Sequence, residues 1–371
     1  MMNATDALKE RLKKQGPMRF DAFMAFALYD PEYGYYTSGQ GIFGRQGDFV
    51  TAPELTPLFG QTLGQAILEV LPLCKPVIYE FGAGNGKLAS DLLNTLGDTV
   101  EQYNIVDVSG GLKQVQSETI RASVPGHLAD RVQWLEQLPE GLEGVLIGNE
   151  VLDAMPVRVF EYHHDASLEW WISEDITLEK RPLQVSDRGI LETLHTQHGP
   201  WQDGHLVEWA EQAHGFVKTL TERLKGLALM IDYGDCAEKL LHPAKRQGTL
   251  RAHKNHVAHD GFLTDIGEQD LTAHVNFSQI YEAMHSEGGQ LEGYCTQASF
   301  LLAHGILELA GQNPALTDPV AGAQTRKALN TLLSEAEMGE NFKVFAWSRG
   351  VDLDATRLNT LFLMNDRSGE L

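Results

Sequence analysis

Apolar positions along the chain form short strand-length runs, several of them followed by stretches of helical spacing. VIYEF (77–81) precedes KLASDLLNTL, and NIVDV (104–108) precedes GGLKQVQSETIRAS. RVQWL and GVLIG follow, the latter leading into NEVLDAMPV. Leu58, Leu63, Ile67 and Leu71 recur at helical spacing and predict a helix over 57–71. HLVEWAEQAHGFVKTLTERL reads as one helix, and LALMIDYG after it reads as a buried strand. Two late strands, QLEGYCTQ and FKVFAWSRG, flank a helical stretch beginning SFLLAHGILELA. Strands alternating with helices imply parallel pairing, so the expected class is α/β with a doubly wound, mostly parallel sheet.

Two regions depart from that rhythm. From Val157 to about Leu191, RVFEY and LEWWI read as a hairpin-containing insertion. Before Leu58, an amphipathic helix gives way to the Gly/Tyr-rich loop DPEYGYYTSGQGIFGRQGDFVTAPE. The expected division is an N-terminal helical lid over 1–60, a core over 61–156 and 204–371, and an insertion over 157–203.

The turn after VIYEF carries the first chemistry. YEFGAGNGKL places Gly82, Gly84 and Gly86 directly behind a strand and ahead of a helix. A P-loop requires GxxxxGK followed by Ser or Thr to hold Mg²⁺. Here the glycine spacing is one residue short and Leu88 follows Lys87, so that reading fails. A dinucleotide fingerprint is GxGxxG, and the GxGxG spacing weakens it without removing it. Glycines without Cβ let a nucleoside ligand approach the backbone closely. Glu80 is placed to answer an ammonium group, and Asp107, at the end of the next strand, to accept from ribose hydroxyls.

Open α/β sheets bind ligands beyond the carboxyl ends of their strands. Asn149, Glu150 and Asp153 follow GVLIG, and Asp232 follows LALMI. Any one of these could simply cap a helix. Several carboxylates gathered at adjacent strand ends cost energy unless a cation lies among them. A guanidinium, protonated below a pKa of about 12 and forked to match carboxylates, suits that arrangement. Glu150 and Asp153 are the candidate clamp.

Composition narrows the partners. The 371 residues are 43% hydrophobic and 22% charged, enough to bury a full core. A formal net charge of −22 disfavours a nucleic-acid partner and suits a basic protein or cationic side chain, or merely confers solubility. No run approaches the roughly 20 apolar residues of a membrane span, so no membrane insertion is expected. The start lacks a signal core, and Cys74, Cys236 and Cys295 form no CxxC pair. Those features favour reduced thiols and a cytoplasmic location. His253, His256 and His259 form HxxHxxH without HExxH or flanking carboxylates, so no metal is expected. Trp170–Trp171 and Tyr33, Tyr35 and Tyr36 suit core packing as well as a pocket.

Over nearly its whole length the chain resembles the MidA-like proteins, bacterial relatives of the mitochondrial complex I assembly methyltransferase. The resemblance rests on GDFVTAPELTPLFGQTLG, EFGAGNGKLASDLL, IGNEVLDAMPVRVF and MIDYG. It rests also on DLTAHVNFSQI, GYCTQASFLLAHGIL and MGENFKVFAWSRG. It implies a class I methyltransferase fold using S-adenosyl-L-methionine and a protein-arginine acceptor, as in a complex I subunit. Gly82, Gly84, Gly86 and Asp107 would bind the cofactor, and Glu54 would belong to a lid over it. Asn149, Glu150 and Asp153 would face the methyl group, while Asp270, Thr272 and His274 match a string with no assigned role. Ala83 and Asn85 stand where the family pattern leads one to expect Pro and Arg, and Ser109–Gly110 where it leads one to expect Ser-Pro. NEVLDAMP in place of NEFFDALP alters the apolar neighbours of the acceptor site. A non-catalytic assembly factor, a small-molecule methyltransferase and an NAD-dependent oxidoreductase are the alternatives, and a homodimer stays open.

Overall fold

The computed structural model describes residues 2–37, 51–107, 111–354, 356, 358, 362 and 365–371. Residues 38–50 of the Gly/Tyr-rich loop and Ser109–Gly110 therefore lie outside the described residues. The chain separates into two compact units. The first comprises Met1–Phe49, Leu152–Phe216 and Gly234–Ile280, and the second Val50–Val151, Val217–Tyr233 and Tyr281–Leu371.

Among the described residues, seven strands of the second unit lie in one sheet. These are β1 (Val77–Phe81), β2 (Gln102–Val106), β3 (Val132–Leu135), β4 (Leu142–Asn149), β5 (Leu224–Asp235), β6 (Gln290–Thr296) and β7 (Phe342–Arg349). Their order is β6-β7-β5-β4-β1-β2-β3. β3, β2, β1, β4 and β5 run parallel, and β7 pairs antiparallel with both β5 and β6. This is the expected mostly parallel α/β sheet, closed at one edge by the late antiparallel pair.

The parallel strands read as continuous apolar runs because successive residues, such as Val145, Leu146 and Ile147 or Ala228, Leu229 and Met230, are all buried. Ile78, Ile105, Val145, Ile147, Leu227 and Leu229 are all buried within one cluster. Burying each such side chain contributes about 1.5–3 kcal/mol. Helix α1 (Pro57–Val70) adds Leu63 and Ile67 to the cluster, and α2 (Lys87–Leu96) adds Leu88 and Leu92. At the amino end of the sheet, Gly144 and Gly226 lie opposite one another on β4 and β5. A Cβ on Gly226 would come within 1.9 Å of the Gly144 carbonyl oxygen. The close approach of these strands therefore requires glycine at that point.

The first unit is an antiparallel assembly. Arg158–Tyr162 pairs with Leu168–Ile172 and with His205–Trp209, and Leu168–Ile172 pairs with Met18–Arg19 and Leu178–Pro182. A smaller sheet joins Arg251–Lys254 to Val257–His259 and Asp270–Thr272. Phe20, Phe23, Met24, Trp170, Ile172 and Leu271 form its core.

Two local expectations fail for identifiable reasons. HLVEW is a strand, not the start of a helix, which begins only at Glu211. His205 and Val207 are buried while Leu206 and Glu208 are less so, a period of two that pairs with Arg158–Tyr162. The stretch SFLLAHGILELA is two helices, Gln297–Ala303 and Ile306–Gln312. Gly305, at φ +85°, stands between them in the left-handed conformation that ends a helix.

Candidate functional site

The carboxyl ends of β1, β2 and β4 gather the expected polar residues of the second unit. After β1 the chain turns through Gly82 (φ +64°), Gly84 (φ +53°) and Gly86 (φ +84°). Three left-handed residues in so short a turn are what a non-glycine sequence would resist. The Gly82 N–H donates to the Val106 carbonyl at 3.1 Å, tying the turn to β2. Asn85 lies one residue before the Gly86 cap of α2, and its Oδ1 accepts from the Lys87 N–H at 3.1 Å. Its amide donates to Glu54 Oε1 at 2.8 Å. Asparagine here thus joins the turn to the short helix Ala52–Leu55 that carries Glu54.

Glu80 is 2% exposed. Its Oε2 accepts from the Tyr103 hydroxyl at 2.7 Å. Burial pushes its pKa up to about 7, the Tyr103 bond opposes that rise, and the Asp107 charge adds to it. Asp107, just past the end of β2, accepts from Gln116 Nε2 at 2.9 Å. Glu80 and Asp107 thus offer carboxylate acceptors beside a backbone that carries no Cβ.

At the end of β4, Asn149 Nδ2 donates to Glu150 Oε1 at 2.9 Å. Asn149 Oδ1 is buried with no hydrogen-bond partner among the described residues. Glu150 adopts φ +55°, a conformation costly for any residue with a Cβ. Asp232 holds the kink from β5, accepting from the Val151 N–H at 3.0 Å and the Tyr233 N–H at 2.8 Å. The Glu150 N–H itself donates to the Ile231 carbonyl at 2.9 Å. Burial raises the Glu150 pKa to about 8, and the Asp232 and Glu54 charges push the same way. Bonds from Asn149 and the Ala52 N–H oppose the rise. Three carboxylates within electrostatic reach, one of them held above its ordinary range, form a place where a cation would be stabilised.

Asp153 belongs to the first unit. There the Ala273 N–H donates to its carbonyl at 3.0 Å, and the Tyr29 hydroxyl donates to the adjacent Ala154 carbonyl at 2.9 Å. Tyr36 donates to Asp270 Oδ1 at 2.9 Å, and the charges of Asp270 and Asp153 both raise the Tyr36 pKa on top of its burial. In the DLTAHV string Asp270 accepts from Tyr36, and the His274 N–H donates to Thr249 Oγ1 at 3.0 Å. His253 lies in a hairpin opposite Ala258, and Trp170 packs edge-on against Phe20 in the core.

Sequence reasoning missed Gln116 and Tyr103. Both are fully buried polar partners of the acids it found. Gln116 stands four residues before the buried Ile120, on the covered face of the helix Leu112–Ser123. A polar residue at a position where periodicity demands an apolar one was the available signal.

Comparison with known proteins bears on what this edge holds. Residues 62–295 match the family model described as "Putative S-adenosyl-L-methionine-dependent methyltransferase". A crystal structure of a Burkholderia thailandensis protein bound to S-adenosyl-homocysteine superposes with TM-score 0.90 at 39% identity, covering 99% of this chain and 96% of that one. Among curated proteins, the chain is 29% identical to the zebrafish mitochondrial protein arginine methyltransferase NDUFAF7, over 91% of this chain and 85% of that protein. The human counterpart is 27% identical over 91% and 82%.

Proposed function

The chain belongs to this family of S-adenosyl-L-methionine-dependent methyltransferases, and from that premise we propose that its acceptor is an arginine of a protein, such as a respiratory complex I subunit. The cofactor fits the residues present. Its ribose hydroxyls and ammonium are donors, and Glu80 and Asp107 offer acceptors. The left-handed glycines keep the turn free of side chains where its backbone must be approached. When bound, the cofactor supplies a methyl group activated by a positively charged sulfur. In this reading Gly82, Gly84, Gly86, Glu80 and Asp107 hold it, and Glu54 braces the turn through Asn85.

The observation that carries the acceptor is the Glu150 environment. A half-buried carboxyl group held at φ +55°, its pKa raised by burial and then by Asp232 and Glu54, is poorly satisfied as an anion alone and well satisfied by a guanidinium. Methylation of a guanidinium nitrogen releases a proton. With a pKa near 8 the Glu150 carboxyl carries a proton at neutral pH; an arriving guanidinium would displace it to solvent, leaving a carboxylate that orients the nitrogen and accepts the proton released on methylation. Asn149, whose carbonyl oxygen has no partner among the described residues, would receive one of the remaining guanidinium N–H groups. The names of the distant animal relatives support the same acceptor class.

Incubation with methyl-labelled cofactor and complex I subunits, read by mass spectrometry, tests this. Label should appear on arginine, and Glu150→Gln should slow transfer by roughly 100-fold while leaving S-adenosyl-homocysteine binding intact. Label on small molecules alone would favour a small-molecule methyltransferase. No label with any acceptor would favour an assembly factor.

A further inference from the structure

We propose that Gln116 is a positioning residue for the cofactor, acting through Asp107 and the glycine turn. This rests on the assignment of Asp107 to ribose recognition. The Gln116 side chain is wholly buried and uses every hydrogen-bonding group it has in a way that links three elements. Its Nε2 donates to the Asp107 carboxylate at 2.9 Å and to the Gly84 carbonyl at 3.0 Å. Its Oε1 accepts from the Trp134 indole Nε1 at 2.8 Å.

The orientation of the amide has only one solution. An indole N–H can only donate, while a carbonyl and an ionised carboxylate can only accept. Flipping the amide would turn three bonds into three clashes of like polarity. Gln116 therefore fixes the distance between the strand-end acid and the backbone of the turn, the two groups that must meet one nucleoside at once. Gly86 adds a second constraint: a Cβ there would stand 3.0 Å from Gln116 Cα and 3.1 Å from its carbonyl oxygen. The turn and the helix bearing Gln116 are thus packed backbone to backbone. Trp134, on β3, anchors the far end of the amide.

A residue present only to fill the core would be served by Leu or Met, as Ile120 serves one turn later. A buried glutamine with all its bonds made is justified by what it holds. Loss of the amide would leave Asp107, the Gly84 carbonyl and the Trp134 N–H each short of a partner, and would let the acid and the turn drift independently.

Calorimetric titration with S-adenosyl-homocysteine across a double-mutant cycle decides the question. Gln116→Met should weaken binding by roughly tenfold to 100-fold. In an Asp107→Asn background the same substitution should change it by only about twofold, because the residue through which Gln116 acts is already altered. Gln116→Glu keeps the shape, removes the donors and should lose as much affinity as the Met variant. The Trp134 indole N–H resonance should move on ligand addition in the wild type and stay still in Gln116→Met. Effects that simply add across the cycle, or binding unaffected in both Gln116 variants, overturn the proposal. Wild-type binding that survives Asp107→Asn undiminished overturns the Asp107 assignment beneath it.

Discussion

The Tyr103 hydroxyl donates a 2.7 Å hydrogen bond to Glu80 from the neighbouring strand, at a depth where both side chains are buried. Their backbones lie on adjacent parallel strands, with Ile78 opposite Tyr103 and Glu80 opposite Ile105. The bond favours the charged carboxylate, while burial and the Asp107 charge oppose it, and the balance leaves Glu80 at about 7. A carboxyl poised there changes charge across the neutral range, directly beside the glycine turn.

Cofactor binding should therefore depend on pH in a predictable direction. If Glu80 meets the ligand ammonium as a carboxylate, affinity for S-adenosyl-homocysteine should rise as pH passes from about 6 to 8. Stability of the unliganded protein should move the opposite way. The folded pKa lies above the ordinary value of 4.5, so the folded state binds more protons between about 4.5 and 7. That contribution is present at low pH and is lost as pH rises through 7, on the order of 3 kcal/mol. Tyr103→Phe removes the bond that favours the anion, so both midpoints should shift upward. Titrations of binding and of thermal unfolding against pH measure the two effects. A flat binding profile would remove Glu80 from ligand recognition.

Gly86→Ala should damage both the turn and the ligand site. The substitution places a Cβ at φ +84° and against the backbone of Gln116. Left-handed strain alone costs about 1–3 kcal/mol, and relieving the contact must move the helix bearing Gln116 or the turn itself. The expected result is a lower melting temperature together with weaker S-adenosyl-homocysteine binding. Gly97→Ala is the control: φ is +54° but nothing lies within 4 Å of its Cβ. It should lower the melting temperature and leave ligand affinity unchanged. Equal binding in both variants would mean that the Gly86–Gln116 packing does not matter to the ligand.

Much of the site was legible because its residues break local rules. Glycines recurring directly behind a strand announce backbone conformations that other residues avoid, and acids ending apolar runs announce a sheet edge. Tyr103 breaks no rule visible over a few residues, and Gln116 breaks only the periodicity of its own helix. Their importance comes from partners on other elements, Glu80 and Asp107, and the identity of such partners leaves no trace in local sequence. The division between units was hidden for a related reason. Glu150 and Asp153 read as one acidic motif in sequence, yet Asp153 falls in the first unit, where its carbonyl accepts from the Ala273 N–H. HLVEW was absorbed into the helix that follows because a five-residue alternation is easily overrun by a longer helical pattern beside it.

His205 gives the first unit a dependence on acid. Its ring is fully buried and lies nearly parallel to Trp201 (3° between planes) at a centroid distance of 4.7 Å. Neither ring nitrogen has a hydrogen-bond partner among the described residues. Burial lowers its pKa to about 4, with the charges of Arg246 and His195 acting in the same direction. Because the folded pKa lies below the ordinary 6.5, the unfolded chain binds more protons between 6.5 and 4. Stability from this residue is thus intact above about 6.5 and falls as pH drops through 4. His205→Phe keeps a flat ring against Trp201 and removes both unsatisfied nitrogens. It should raise stability by about 1–3 kcal/mol at neutral pH and flatten the decline between pH 6.5 and 4. Urea unfolding at several pH values reads both changes at once. A variant less stable than the wild type at neutral pH would show that the imidazole nitrogens are satisfied in solution, by water held in the core.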